Sequence, residues 1–301
     1  MASTNPGVFT IFFLAHRLKG KVVEELTNYP RTYFILGGDL RQAYMAQALA
    51  DSGYRVESLG NPFLPDTMAQ LPPQFPAKSC VILPIRSFDA SGHLTGGTAL
   101  RDSEIFSRLQ DDTYLFGGLL SKDLLRKRVV DLMALPRVAI ANAVPTAEGA
   151  IQLLLEKLPV TLHGAKCLVI GFGRIGKALS LRLQALHAEV TVAARREAQL
   201  AEIETLGLRS ELTHRYRHGL RQYDCILNTV PAPVLDDRAL EETRPDCLLL
   251  DLASAPGGID RADCQAQQRQ CIPAPGLPGK TAPKTAGKIL LEAIFQTMEA
   301  E

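Results

Sequence analysis

At roughly 150 residues per domain, the chain of 301 residues is long enough for about two domains that each bury a core. Its 33 Lys and Arg against 32 Asp and Glu leave a formal net charge of +1, which supplies no whole-molecule field to gather nucleic acid or an anionic membrane. A composition 46% hydrophobic and 22% charged excludes disordered and fibrous classes, and the unbroken apolar stretches are of strand length, short of the roughly 20 residues of a membrane helix.

Residues 8–15 are apolar, but no basic residue precedes them and no small-residue cleavage pattern follows before His16, Arg17 and Lys19. Residues 1–30 therefore read as an N-terminal extension of a cytoplasmic protein, not as an export signal. Strand and helix signals then alternate, the pattern of an α/β protein with mostly parallel sheets. A first α/β domain is expected over 31–144, with strands at 33–36, 54–59, 80–83, 114–116 and 138–141 and a helix over 40–50 after the Gly37-Gly38 turn. Between them, 86–98 is rich in Gly, Ser and Asp and long for a connection; such loops often cover a site.

Pro145 suits the first turn of a helix whose Ala147, Ile151, Leu154, Leu155 and Leu158 make one apolar face until Pro159. This helix, 145–160, is expected to link to a second domain over 161–280. There 166–170 reads as a strand, 171–187 as turn and amphipathic helix, and 189–193, 225–228 and 247–250 as further strands. Pro283 starts a last helix within 281–301, striped by Leu290, Ala293, Ile294 and Met298, which is expected to return to the first domain. The six cysteines lie far apart with no C-x-x-C pair, so buried thiols are expected, and neither they nor the six histidines make a zinc set.

Gly171-Phe172-Gly173-Arg174-Ile175-Gly176 satisfies G-x-G-x-x-G, and its context makes it a strong signal. It follows an apolar strand and opens a helix, so the first glycine permits the tight turn, the second admits a pyrophosphate, and the third lets helix and strand pack. An acidic residue at the end of the next strand would hold a ribose 2′-hydroxyl, but this strand ends Ala194-Arg195-Arg196. Arginines there favour NADP over NAD, the alternative being two solvated loop charges. Asn228-Thr229-Val230-Pro231 closes a later strand where a nicotinamide ribose usually lies.

Gly37-Gly38-Asp39-x-Arg41-Gln42, Pro145-Thr146-x-Glu148-Gly149, Asp251-Leu252-Ala253-Ser254-x-Pro256-Gly257-Gly258, Ala274-Pro275-Gly276-Leu277-Pro278-Gly279 and Ala282-Pro283-Lys284-Thr285-Ala286-Gly287 together resemble the family of dipicolinate synthase A-subunits, in order from about Arg31 to the C-terminus. The resemblance implies two Rossmann-like, doubly wound parallel-sheet domains with a cleft between them, as in D-2-hydroxyacid dehydrogenases. It implies synthesis of dipicolinate from a lysine-pathway intermediate in the mother cell of a sporulating bacterium, alongside a flavoprotein-like B-subunit; a homo-oligomer is also expected. The implied substrate is a dihydro- or hydroxytetrahydropyridine with two carboxylates.

Two carboxylates call for two anion sites. The candidates are Arg41, Arg86, and the turn 276–287 with Thr281, Lys284 and Thr285, each of which also reads as a surface charge or a plain turn; Thr146 is counted among the substrate contacts. Asp39 and Glu148 are either proton relays or helix caps, and Asp251 either faces the cleft or binds loop backbone. His163 reads as the end of an interdomain loop. Two rival functions stay open. One is a D-2-hydroxyacid dehydrogenase-like reductase, although no Arg, Glu and His set follows that group's order; the other is a non-catalytic nucleotide-binding subunit.

Overall fold

The computed structural model describes residues 29–213, 215 and 219–300, so the apolar stretch 8–15 and most of the predicted extension lie outside the described residues. The chain divides into two compact units, one running to Val138 and resuming at Ala286, the other Ala139–Thr285.

In the first unit β1 (Thr32–Leu36), α1 (Leu40–Asp51), β2 (Arg55–Leu59), β3 (Ser79–Ile82), α2 (Asp102–Phe106), β4 (Tyr114–Gly117) and β5 (Val129–Asp131) build a parallel sheet in the order β2-β1-β3-β4-β5. Successive strand residues face opposite sides, so Tyr33 and Ile35 pack with Met45 and Leu49 of α1. Phe34 and Leu36 meet Phe75, Leu94 and Ile105 on the other face. Covering both faces is what makes β1 an unbroken apolar run.

The expected strand at 138–141 is a correction. It is α3 (Pro136–Ala141), and the fifth strand is β5. Pro136 occupies the first helical position, and Val138 is fully buried while Ile140 is 60% exposed, a split that two residues on one face of a strand would not show. The three residues of β5 follow a run of Lys and Arg, which hides them from any apolar pattern.

The second unit continues with α4 (Ala143–Lys157), β6 (Lys166–Ile170), α5 (Arg174–Ala185), β7 (Glu189–Ala194), α6 (Glu197–Thr205), β8 (Arg209–Leu212), β9 (Cys225–Asn228), α7 (Asp237–Glu241), β10 (Leu248–Asp251), α8 (Arg261–Ala266), β11 (Cys271–Pro273) and α9 (Leu277–Thr281). Its six parallel strands run β11-β10-β9-β6-β7-β8. The helix expected to link the units belongs to this core, where Ala147, Ala150 and Leu154 pack with Val169, Leu179 and Leu183. The helical run Pro136–Lys157 is 22 residues long and holds an 18-residue stretch of mean hydropathy 1.4, long and apolar enough to cross a membrane, as the core helix of a globular domain also is. A search for unbroken apolar stretches misses this run because Arg137, Asn142 and Glu148 interrupt it.

The last helix, α10 (Pro283–Glu299), lays Leu290, Ile294, Phe295 and Met298 into the first unit's core beside Tyr33 and Met45. All six cysteines are free thiols.

Candidate active site

Along the second sheet the chain winds from β6 outward to β7 and β8, then returns through β9 to β10 and β11. Connections leaving β6 and β9 in opposite directions open a crevice at their carboxyl ends. The fingerprint lies there. Gly171 has φ 102°, and a Cβ on it would stand 2.5 Å from Thr229 Oγ1; a Cβ on Gly176 would overlap the Gly171 carbonyl oxygen. Packing within the protein thus demands both glycines. Gly173 is different, because its φ of −88° suits any residue and a Cβ there meets no atom within 4 Å. Gly173 is exposed, and the room above it is open.

The groups around that room suit an anion. The Lys177 N–H donates to Gly173 O at 2.9 Å, so the N–H groups of Arg174, Ile175 and Gly176 stand ahead of the hydrogen-bonded ladder at the positive end of a 12-residue helix. A pyrophosphate matches them in charge and in reach. Ala194 ends β7 buried, while Arg195 and Arg196 are exposed with no ion pair or side-chain hydrogen bond among the described residues. The Thr213 N–H donates to Ala194 O at 3.0 Å, which sets the turn carrying exposed Arg215 against the same strand end. Sequence reasoning missed Arg215, which only strand order brings beside β7.

On the other side of the crevice, Thr229 donates through both its N–H and its hydroxyl to Ile170 O, each at 2.9 Å, which ties the end of β9 to the fingerprint turn. Val230 is partly exposed and Pro231 exposed. Buried Asp251 accepts hydrogen bonds from Asn228 Nδ2 and from the N–H groups of Ala253, Gly258 and Ile259.

In the first unit, the carboxyl edge of β1 carries Gly37, Gly38 and Asp39. Asp39 caps α1 in a capping box with Gln42 and grips the Arg41 guanidinium through both oxygens, at 2.7–3.1 Å. Arg41 is thereby held in one orientation, its side chain 15% exposed. Two polar residues support this turn, Gln42 of the Gly37–Gln42 motif and Asn61, which the sequence did not single out. Gln42 is fully buried and donates to Leu83 O, and Asn61 donates to Gly37 O at 2.8 Å. The long loop lies over the same edge, since Gly38 N–H donates to Thr95 O at 3.3 Å and a Cβ on Gly96 would strike Gly38. Arg86, exposed after β3, has no ion pair or side-chain hydrogen bond among the described residues, and its carbonyl accepts the Thr95 hydroxyl.

Gly287 of α10 presses on α1, where a Cβ would lie 2.6 Å from Arg41 O; Lys284 and Thr285, both exposed, sit one turn earlier on that helix. Thr281, on α9, donates to Leu277 O. Thr146 is buried and donates to Asn142 O at 2.6 Å, and exposed Glu148 stands 3.6 Å from Arg182 Nε. The His163 and His187 rings lie 5.3 Å apart and precede β6 and β7, at the opposite end of the strands from the fingerprint.

Comparison with known proteins agrees with this architecture. Residues 32–131 match the N-terminal domain of the dipicolinate synthase A-subunit, and residues 133–256 match the NAD binding domain of D-isomer specific 2-hydroxyacid dehydrogenases. The dipicolinate synthase A-subunit of Bacillus subtilis (strain 168) is 30% identical over 284 residues, covering 88% of this chain and 94% of that protein. The crystal structures of the A-subunit from Bacillus halodurans (28% identity, TM-score 0.81) and Bacillus subtilis (29%, 0.78) each cover 91% of this chain and 98% of their own. D-lactate dehydrogenase from Escherichia coli shares the fold, at a TM-score of 0.56 and 14% identity over 90% of this chain and 98% of its own. The chain therefore carries a nicotinamide dinucleotide-binding domain of the dehydrogenase type, and it belongs to the family of dipicolinate synthase A-subunits.

Proposed function

We propose that the protein is the pyridine-nucleotide subunit of a dipicolinate synthase, oxidising a dihydro- or 4-hydroxytetrahydropyridine dicarboxylate to dipicolinate with NADP. Membership in the A-subunit family carries this reading, and the open cradle at Gly173 supports the cofactor. Bound NADP supplies a two-electron acceptor for the hydride that leaves the substrate ring, and the ring becomes aromatic as it does so. Because aromatisation drives the step, the chain's contribution is mainly to bind and orient.

The N–H groups of Arg174, Ile175 and Gly176 hold the pyrophosphate, while Arg195 and Arg196 hold the 2′-phosphate and thereby select NADP over NAD. Arg41, Arg86, Lys284 and Thr285 hold the two substrate carboxylates, with Asp39 fixing the Arg41 guanidinium so that less rotamer freedom is lost on binding. Thr146 adds a hydroxyl, and Glu148 carries the proton when water must also leave the hydroxylated form. A flavoprotein-like B-subunit as partner and action in the mother-cell cytoplasm complete the reading.

Binding of dipicolinate in the presence of NADP tests the carboxylate sites. Calorimetry should give an affinity at least about tenfold above that for the monocarboxylate picolinate, one charge-assisted contact being worth about 1.5–3 kcal/mol. Equal affinities would remove the dicarboxylate assignment.

A further inference from the structure

Asp251 ends β10 as a residue 8% exposed, and four donors surround its carboxylate. Oδ1 accepts Asn228 Nδ2 at 2.9 Å and the Ala253 N–H at 3.2 Å; Oδ2 accepts the Gly258 N–H at 2.9 Å and the Ile259 N–H at 3.2 Å. Two oxygens offer about four lone-pair directions, so no acceptor position is left for a ligand, and a proton added to either oxygen would face an N–H already pointing there. This is the geometry of a clamp, not of a proton carrier.

The clamp reaches the end of β9. Asn228 is fully buried; its Nδ2 also donates to Val230 O, and its Oδ1 accepts the Val230 N–H, both at 2.9 Å. Gly258, held by Asp251, sits so close that a Cβ would overlap Asn228 Nδ2, and its carbonyl accepts the N–H groups of Val234 and Leu235 at 2.9 and 3.2 Å. The loops after β9 and β10 are thus joined into one rigid ledge beside the fingerprint. In a doubly wound sheet one mononucleotide half of the cofactor belongs to each half of the sheet, and β9, β10 and β11 form the half opposite Arg195 and Arg196.

We propose that Asp251 is a positioning residue: through Asn228 it fixes the backbone of Thr229, Val230 and Pro231 as the seat of the cofactor's nicotinamide end. The proposal rests on the dinucleotide reading of the fingerprint. Asp251→Asn puts an NH2 against two donors whichever way the amide turns, and so opens half of the clamp. Fluorescence titration of the full chain should show NADPH affinity falling about tenfold while that of 2′-phospho-ADP-ribose, which lacks the nicotinamide, stays within about twofold. Should Asp251→Asn fail to fold, Asn228→Ser is read in the same way, since it removes the link to Val230 and leaves Asp251 its three backbone donors. Equal losses for both ligands, or no loss for either, overturn the proposal. So does a variant that binds both normally but loses turnover together with one limb of its pH profile, because Asp251 would then carry a proton. A parent chain that binds neither ligand instead overturns the dinucleotide reading itself.

Discussion

Gly173→Val separates what the fingerprint does for the fold from what it does for a ligand. The added side chain meets no protein atom within 4 Å of its Cβ and needs no unusual backbone angle, so the folded state should change little. The loss is that of a poorer helix N-cap, under about 1 kcal/mol. Toward NADP the effect is large, because the valine methyls fill the room in which a pyrophosphate would approach the N–H groups of α5. Losing one or two charge-assisted hydrogen bonds costs about 2–5 kcal/mol, or roughly 30-fold to several thousand-fold in affinity. Gly176→Ala is the counterpart: its Cβ would overlap the Gly171 carbonyl oxygen, so the domain itself should be destabilised. Thermal melts and NADPH titrations of both variants give the answer. If Gly173→Val binds NADPH like the parent, or if the two variants lose stability equally, the account of this turn is wrong.

Replacing both Arg195 and Arg196 with alanine should weaken NADP by about 1–3 kcal/mol and leave NAD unchanged, as read by parallel titrations; equal losses would refute the 2′-phosphate assignment. Arg41→Ala and Lys284→Ala should each raise the Michaelis constant for the dicarboxylate at least about tenfold with NADP affinity intact, and loss of NADP binding in Arg41→Ala would contradict its role. Away from the site, the Thr67 hydroxyl and then the Arg55 guanidinium hold the Glu57 carboxyl below the usual carboxylate range. A depressed folded-state value gives stability that is present above the unfolded value and lost as pH falls through the folded one. Glu57→Gln should therefore lower urea stability at neutral pH, with the deficit shrinking as pH falls through the acid range, and a deficit that does not shrink in acid would refute this.

Most of the architecture was legible because two periodicities carry it. The runs at 33–36 and 167–170 are apolar on both faces, as buried parallel strands must be, and Gly171–Gly176 joins such a run to an amphipathic helix. What failed was short or charged. β5 and β11 have three residues each, and β8 runs polar through Arg209, Ser210 and Glu211 at the edge of its sheet. Single-residue roles were the least legible. The sequence offered Asp39 as a proton relay or a helix cap and Asp251 as a cleft residue or a ligand of loop backbone, and what bears on each choice is a set of partners that no motif announces: Arg41 for one, Asn228 and Gly258 for the other. Asn61 carried no motif, and Gln42 closed one without an assigned role, since their importance comes from carbonyls 24 and 41 residues away.

NADP-dependent oxidation of a pyridine dicarboxylate precursor is the activity proposed for this chain. The most direct measurement mixes purified chain, NADP and freshly generated dihydrodipicolinate, with and without the B-subunit, and follows NADPH absorbance together with the pyridine product. The account predicts one NADPH for each dipicolinate formed, with NAD a much poorer acceptor. Dipicolinate formed at the same rate without any nicotinamide cofactor, or no NADPH under either condition while a 2-hydroxy acid is turned over instead, would contradict it.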